Sequence, residues 1–331
     1  MAGPIPYVRE DAVEYGRATA VSPLVRRVMA NNPNKFTYRG TGTYLVGHGE
    51  VAVIDAGPPL ADHVSAILAT LEPGERITHL VVTHTHTDHS PATALVRAQV
   101  DAPSYGYGPH GAVRPDDPDD RIVFGDAEAD RSDELAPDPG ESAAEHAARH
   151  REGADTEFVP DVVLRDGDEL AAPGWTLRAV HTPGHTSNHL CYELVEEHTL
   201  FSGDHVMGWS TSVIGPPDGN LNQFLASLTK LLARDDARYR PTHGPVIEDP
   251  KTLVRAYRAH RLDRTEQLLG VLREGPTTLA QIVPRLYVEV PKTLWRAAAV
   301  SMYAHLLALV DDGRVTVDGI PKLRSTYALS G

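Results

Sequence analysis

Three imidazoles and one carboxylate fall within six positions, at His84, His86, Asp88 and His89. Neutral imidazole nitrogen and carboxylate oxygen together suit a divalent cation, Zn²⁺ first, with Mn²⁺ or Fe²⁺ as competitors. The stretch follows Ile77–Val82, an apolar run that reads as a buried strand. Side chains alternate along an extended strand end, so His84 and His86 point to one side. Asp88 and His89 leave the turn beyond, which lets one short segment serve two cations lying side by side. A solvent-exposed histidine-rich loop is the competing reading, and the density of ligands behind a strand argues against it.

Three more ligand types stand on turn signals or strand ends further along. They are His185 in Thr182-Pro183-Gly184-His185-Thr186, Asp204 in Ser202-Gly203-Asp204-His205, and His243 in Pro241-Thr242-His243-Gly244-Pro245. With these the sequence closely resembles the metallo-β-lactamase superfamily, in the hydrolase branch typified by glyoxalase II. That family's signature is His-x-His-x-Asp-His followed by separate His, Asp and His ligands, and every one of these positions is filled here. The resemblance implies an α/β fold of the αββα sandwich type. It implies one cation on His84, His86 and His185, a second on Asp88, His89 and His243, and Asp204 bridging both. Val51-Ala52-Val53-Ile54-Asp55-Ala56-Gly57 matches the family's first motif. By resemblance Asp55 supports the metal loop without being a ligand, so Asp88 and Asp55 are the carboxylates expected to serve catalysis. A ligating imidazole usually needs such an outer acceptor to fix its tautomer. An Asp that merely closes a strand at a turn is the alternative.

The phrase Asn32-Pro33 … Gly40-Thr41-Gly42-Thr43-Tyr44-Leu45-Val46 resembles a narrower group, the β-lactamase-like protein 2 type hydrolases, which carry a C-terminal winged helix. The order of elements from Lys251 follows that pattern. A long helix to about Glu274 is broken by Gly275-Pro276, then come helices over Thr278–Tyr287 and Thr293–Asp312 and a β-wing over Arg314–Ala328. The expected organisation is a catalytic domain at 1–250 and a winged-helix domain at 251–331. In DNA readers of that fold a helix enters the major groove. Here the helix with Trp295, Met302, Tyr303 and Leu306 is apolar, so the domain is expected to pack on the catalytic body or on a second subunit.

With 331 residues, 41% hydrophobic and 23% charged, the chain fits a soluble globular protein and easily buries a core. No apolar run approaches the ~18 residues a membrane span needs. The start, Met1-Ala2-Gly3-Pro4-Ile5-Pro6, lacks the basic and apolar regions of a signal peptide. The single cysteine, Cys191, excludes an internal disulfide, suits a reducing compartment and makes the cytoplasm the expected location. The net charge of −14 is uneven. Residues 251–331 hold 12 Lys/Arg against 7 Asp/Glu, leaving 19 against 38 in the first 250.

Residues 1–35 read as irregular. Strands are expected over Thr37–Val46 and Val51–Asp55, around Asp161–Leu164, Leu170 and Trp175–Val180, and as a hairpin of Cys191–Val195 with His198–Phe201. Helices are expected over 60–72, from Ser90-Pro91 to about Gln99, and over Leu221–Ala233. Residues 111–160 form an acidic insertion with little apolar periodicity outside Arg121–Phe124, and Ala143–Arg151 could form a short helix. The insertion reads either as a lid or oligomer contact near the site, or as a solvated segment. The run His205–Gly219 directly follows Asp204, so Met207 and Trp209 are expected to line a substrate pocket. His189 is placed near the site and counted with them as a pocket candidate, a supporting or purely structural role being the alternative.

Two cations ~3.5–4 Å apart can share a water and lower its pKa from ~15.7 toward ~7, making a bridging hydroxide the nucleophile. The expected activity is therefore dinuclear metal-dependent hydrolysis of a small-molecule ester, lactone or thioester. By resemblance, many true β-lactamases of the superfamily carry a cysteine where Asp204 stands, and the narrower group includes polyketide thioesterases. The alternative is a single-strand endoribonuclease, since other winged-helix members cleave RNA. The acidic body opposes phosphates, while the basic tail keeps nucleic acid open as a partner. A ligand-sensing winged-helix regulator is disfavoured by the complete ligand set. No membrane partner is expected, and a homo-oligomer is compatible with the sequence.

Overall fold

The structure, a computed structural model, describes residues 3–113, 122, 124 and 153–331. Strands β1 (Ala18–Ser22), β2 (Val25–Met29), β3 (Gly42–Val46), β4 (Glu50–Ile54), β5 (Arg76–Val81), β6 (Ser104–Gly106) and β7 (Val162–Val163) form one sheet in that order. It is antiparallel up to β4 and parallel from there on. A second sheet contains β8 (Glu169–Ala172), β9 (Trp175–His181), β10 (Leu190–Leu194), β11 (Thr199–Gly203) and β12 (Arg238–Pro241), with β11 and β12 parallel.

Period-two alternation sorts the strand side chains into layers. Tyr44, Val46, Ala52 and Ile54 meet Leu177, Leu190, Tyr192, Leu194 and Phe201 in the core between the sheets. Leu45, Val51 and Val53 turn the other way, under α1 (Ala61–Ala69) and α2 (Ala92–Arg97). Val180, Cys191, Leu200 and Tyr239 face α3 (Leu221–Leu232) and α4 (Pro250–Leu272). Strands covered on both faces read as unbroken apolar runs, which is why Val51–Ile54 shows no polar alternation. The result is an αββα sandwich. Cys191 lies inside it, its thiol pushed up to about 12 by burial.

The C-terminal part adds β13 (Thr277–Thr278), α5 (Leu279–Leu286), α6 (Trp295–Asp311), β14 (Val315–Val317) and β15 (Thr326–Leu329), a winged helix with the sheet order β13-β15-β14. Its core gathers Leu268, Leu272, Ile282, Val283, Met302, Leu306 and Tyr327. The span Lys292–Asp311 is long and apolar enough to cross a membrane, with a mean hydropathy of 1.3, but half of it is buried in the fold. Its Met302, Leu306 and Leu309 fill the winged-helix core, which accounts for the apolarity. The domain packs on the catalytic body: Ala304 and Ala308 of α6 join the outer core of the second sheet. The 23-residue α4 carries Leu253, Val254 and Tyr257 into that same core and Leu268 and Leu272 into the other.

Three local expectations change. Residues 18–29 are an antiparallel hairpin, because Ser22 pairs with Val25 and Pro23 occupies the turn instead of breaking a strand. The arginines inside β2 are paired, Arg26 with Glu75 at 2.7 Å and Arg27 with Asp11 at 2.9 Å. The strand expected from Thr37 begins only at Gly42, since Asn34 Oδ1 accepts the N–H groups of Phe36 and Thr37 and turns the chain. Third, the end of the acidic insertion is tied down: Asp155 N–H donates to Thr85 O at 2.8 Å and Thr87 N–H to Gly153 O at 2.9 Å. Ile122 and Phe124 reach the winged-helix core. The helix expected at Ala143–Arg151 lies outside the described residues.

Candidate metal centre

The ligand-type residues occupy loops that leave the C-terminal ends of β5, β9, β11 and β12. The parallel relation of β9, β11 and β12 puts those ends on one edge of the sandwich. His86 Nδ1 lies 3.0 Å from His84 Nε2 and 3.1 Å from His185 Nε2. Asp88 Oδ2 lies 3.1 Å from His243 Nε2 and 3.4 Å from His89 Nε2. Asp204 Oδ2 sits between the groups, 3.4 Å from His243, 3.6 Å from His89 and 3.9 Å from His185. A tetrahedral cation with bonds of ~2.0–2.1 Å needs ligand separations of ~3.3 Å. The cluster could therefore hold metal ions. Two orphaned atoms agree with that: His89 Nε2 and Asp204 Oδ1 are buried without a hydrogen-bond partner.

The outward ring nitrogens explain why the inward ones are free. Thr83 Oγ1 donates to Asp55 Oδ2 at 2.8 Å and so accepts the Nδ1–H of His84 at 3.0 Å. His89 Nδ1–H donates to Asp55 Oδ2 at 2.8 Å, His185 Nδ1–H to Val213 O at 2.6 Å and His243 Nδ1–H to Gly40 O at 3.1 Å. Each of these four rings thus turns its Nε2 inward.

Electrostatics divides the cluster. Burial, reinforced by the neighbouring imidazoles, holds His84 and His86 well below the usual histidine range, and burial also lowers His185. For His89, burial is outweighed by the Asp88, Asp204 and Asp55 carboxylates, which raise it well above that range. For His243, burial is outweighed by Asp204 and Asp88, which raise it to about 10. The first group is neutral imidazole; the second is an ion-paired knot when no cation is bound.

Several supporting residues carry no sequence signal of their own. Asn32 Nδ2 donates to Thr41 Oγ1 at 3.0 Å, and Thr41 Oγ1 donates to Asp88 Oδ2 at 3.0 Å. The carbonyl of Gly40 holds His243, and Gly40 has φ +115, with an added Cβ falling 2.1 Å from Ala30 O. This is what the Asn32 … Gly40-Thr41 phrase does, and the phrase was the signal that could have found it.

The pocket residues expected from sequence lie elsewhere. A cleft of about 310 Å³ beside His86 and His185 is lined by His110, Val113, Ala154, Val213, Pro216, Pro217 and Asp218, among others. Met207 is buried, its N–H and C=O both held by the Tyr257 hydroxyl at 3.2 and 2.5 Å. Trp209 stacks on Tyr38, ring centres 4.8 Å apart, and backs the turn at Gly244. His189 is fully buried beneath the cluster, accepting the Asp204 N–H at 3.2 Å and bonded to Thr182 Oγ1 at 2.9 Å. The loop after Asp204 does reach the cleft, but with its second half, Val213 to Asp218.

An αββα sandwich with a His/Asp cluster at its strand ends defines a class, the hydrolases of the metallo-β-lactamase fold. The chain belongs to the Metallo-beta-lactamase superfamily, which it matches over residues 38–243, and residues 278–322 match the beta-lactamase associated winged helix domain. It is 30% identical to a beta-lactamase-like protein 2 homolog of Drosophila melanogaster, covering 90% of this chain and 92% of that one. It is 28% identical to an atrochrysone carboxyl ACP thioesterase of a Cryptosporiopsis species, over 90% of this chain and 83% of the relative. A beta-lactamase domain protein from Burkholderia ambifaria superposes with a TM-score of 0.72 at 20% identity, covering 98% of this chain and 97% of that one. A metallo-beta-lactamase family protein from Thermus thermophilus gives 0.68 at 23%, covering 94% and 100%. At these identities the two structures bear on the fold alone.

Proposed function

We propose that the chain is a dinuclear metal hydrolase acting on a small-molecule acyl compound, an ester, lactone or thioester. The cleft carries this reading. Among the described residues that line it there is no Lys or Arg; Val113, Ala154, Val213, Pro216 and Pro217 supply apolar wall, and the acidic member is Asp218. A polynucleotide draws its affinity from cations along its phosphates, whereas an acyl chain asks for apolar wall with a few placed polar groups. The thioesterase named among the relatives supports the same reading.

One cation, Zn²⁺ before Mn²⁺ or Fe²⁺, would be held by His84, His86 and His185 and the other by Asp88, His89 and His243, with Asp204 shared. When bound, the pair supplies a nucleophile available near neutral pH and polarises the scissile carbonyl. The chain's own residues do the rest. Asp55 and Thr83 orient His84 and His89, Thr41 steadies Asp88, and His189 fixes the backbone of Asp204. Single-strand RNA cleavage is the second reading, favoured by the 12 Lys/Arg against 7 Asp/Glu in residues 251–331. A panel of thioesters, esters and lactones beside a fluorescent single-stranded RNA, run after chelation and after adding back zinc or manganese, separates them. Metal-dependent turnover of an acyl compound is expected; metal-dependent RNA cleavage with no acyl turnover overturns the reading.

A further inference from the structure

The cleft wall contains an imidazole that the metal cluster does not use. His110 lines the cleft with its ring centre 6.2 Å from that of His86. Its Nδ1 is 2.9 Å from Thr85 Oγ1. Asn188 decides which way that hydrogen bond runs. The carbonyls of Pro109 and Gly108, 3.1 and 3.3 Å away, can only accept, so the Asn188 atom facing them and Thr85 Oγ1 at 2.8 Å is the amide nitrogen, and Oδ1 accepts from Thr186 Oγ1 at 3.0 Å. Thr85 is 1% exposed, and its hydroxyl already accepts from Asn188. Among the described residues, His110 Nδ1 is the acceptor left for the hydroxyl's own hydrogen. A buried hydroxyl hydrogen without an acceptor costs free energy, so the lone pair belongs on Nδ1 and the hydrogen on Nε2.

That Nε2–H has no protein acceptor within reach among the described residues. Asp218 Oδ2 is 3.9 Å away, beyond a hydrogen bond. The Asp218 carboxylate is itself fixed, accepting Ser187 N–H on Oδ2 at 2.9 Å and Ala112 N–H on Oδ1 at 3.3 Å. The cleft therefore presents a fixed donor and a fixed acceptor 3.9 Å apart. One oxygen can sit ~2.8 Å from both, provided it accepts a hydrogen and donates one. A hydroxyl does this. A carboxylate or phosphate is repelled by Asp218, and a methylene leaves both groups unpaired.

We propose that His110 and Asp218 form a hydroxyl subsite, so that the enzyme selects acyl substrates bearing a hydroxyl near the scissile carbonyl. This rests on the acyl-hydrolase reading and sharpens its substrate class. The test compares two thioesters of N-acetylcysteamine that differ by one oxygen, 3-hydroxybutanoyl and butanoyl, on the metal-loaded full chain. The wild type should favour the hydroxylated compound in kcat/KM by about 10- to 100-fold, since a polar subsite left unpaired discriminates strongly. His110→Phe should reduce that ratio at least tenfold, and His110→Gln, which keeps an N–H donor, should retain part of it. Metal content and melting temperature of each variant report whether the fold and cluster are intact, and the ratio of two substrates on one protein is unaffected by partial inactivation. An unchanged ratio in His110→Phe, or a wild-type ratio near one, overturns the subsite alone. If the wild type turns over esters or lactones but neither thioester, the same comparison is made with the matching hydroxylated and plain esters; a wild type that turns over no acyl compound overturns the acyl-hydrolase reading, and the subsite falls with it.

Discussion

Asp55 Oδ2 accepts the Nδ1–H of His89 at 2.8 Å, and the same oxygen accepts the Thr83 hydroxyl that receives His84 Nδ1–H. One carboxylate outside the cluster thus orients an imidazole in each of its two groups. Asp55 also accepts the Thr83 N–H at 2.8 Å and the Thr242 hydroxyl at 3.2 Å, and it is 1% exposed. Its φ of 50 lies in the left-handed region, which Asp tolerates better than most side chains.

Replacing Asp55 by Ala strips the acceptor from His89 Nδ1–H, Thr83 N–H and the Thr83 hydroxyl at once. Losing an outer partner of a ligand typically weakens metal binding ~10–100-fold, and buried unpaired donors cost about 1–3 kcal/mol each. Asp55→Ala should therefore lose both metal affinity, read by competition with a chromophoric chelator, and stability, read by urea denaturation. Wild-type affinity in this variant would show that the tautomers are set some other way.

His86 belongs to one group of ligand atoms, while Asp204 Oδ2 faces both. His86→Ala and Asp204→Ala should each abolish turnover, with metal content falling by at least one equivalent in elemental analysis. Asp204→Ala should lose the more, because it loosens both positions. Full activity in either variant refutes the ligand assignment.

Without a cation, burial works against the charge on His243, but Asp204 and Asp88 win and hold it at about 10, with His89 raised as well. His243 therefore carries a second proton at pH 8 and the carboxylates hold His89 toward its charged form, and a cation needs the lone pair that such a proton occupies. Loading should release protons, that of His243 among them, and affinity should fall as pH falls. A folded-state pKa raised above the unfolded value stabilises fully below ~6.5 and is lost as pH rises toward the folded value. The metal-free protein should accordingly lose stability between about pH 6.5 and about 10. Calorimetric metal titrations in two buffers of different ionisation enthalpy count the protons; identical heats would contradict the ion-paired knot.

The sandwich and the convergence of its ligand-type residues are legible because both are strong local patterns. Val51–Ile54 and Ile77–Val82 are doubly covered strands, and histidines at a strand end keep their period-two geometry. The β1–β2 hairpin was hidden by Pro23 and by two arginines whose partners, Glu75 and Asp11, are distant in sequence or outside any strand. Asn32 and Thr41 look like turn residues until the fold brings Asp88 beside them. Met207 and Trp209 are not among the residues lining that cleft, since adjacency to Asp204 says nothing about which side of a loop faces it. Here that side is chosen by a helix some fifty residues further on, through the Tyr257 hydroxyl that holds Met207.

That helix is α4, and its grip on the loop is shared by two side chains. The Tyr257 hydroxyl lies between the carbonyls of Met207 and Ser210, and Arg261 Nη2 donates to Ser212 O. Arg261 Nη1 donates to Ser301 Oγ of α6 at 3.0 Å, and its guanidinium lies 5.6 Å from the centre of the Phe224 ring. Ser212 Oγ in turn donates to Asp204 O at 2.5 Å, and the next residue, Val213, holds His185. The winged-helix domain is thereby linked to the backbone of Asp204, the residue whose carboxylate faces both ligand groups. Tyr257→Phe and Arg261→Met should each destabilise by about 1–3 kcal/mol, because the first leaves the Met207 N–H without its acceptor and one buried carbonyl without its donor, and the second strips the donor from the Ser212 carbonyl. Since both side chains restrain one loop, the double variant should depart from the sum by at least about 0.5 kcal/mol. Denaturation of the single and double variants measures that coupling; additivity would mean that Tyr257 and Arg261 hold the loop independently.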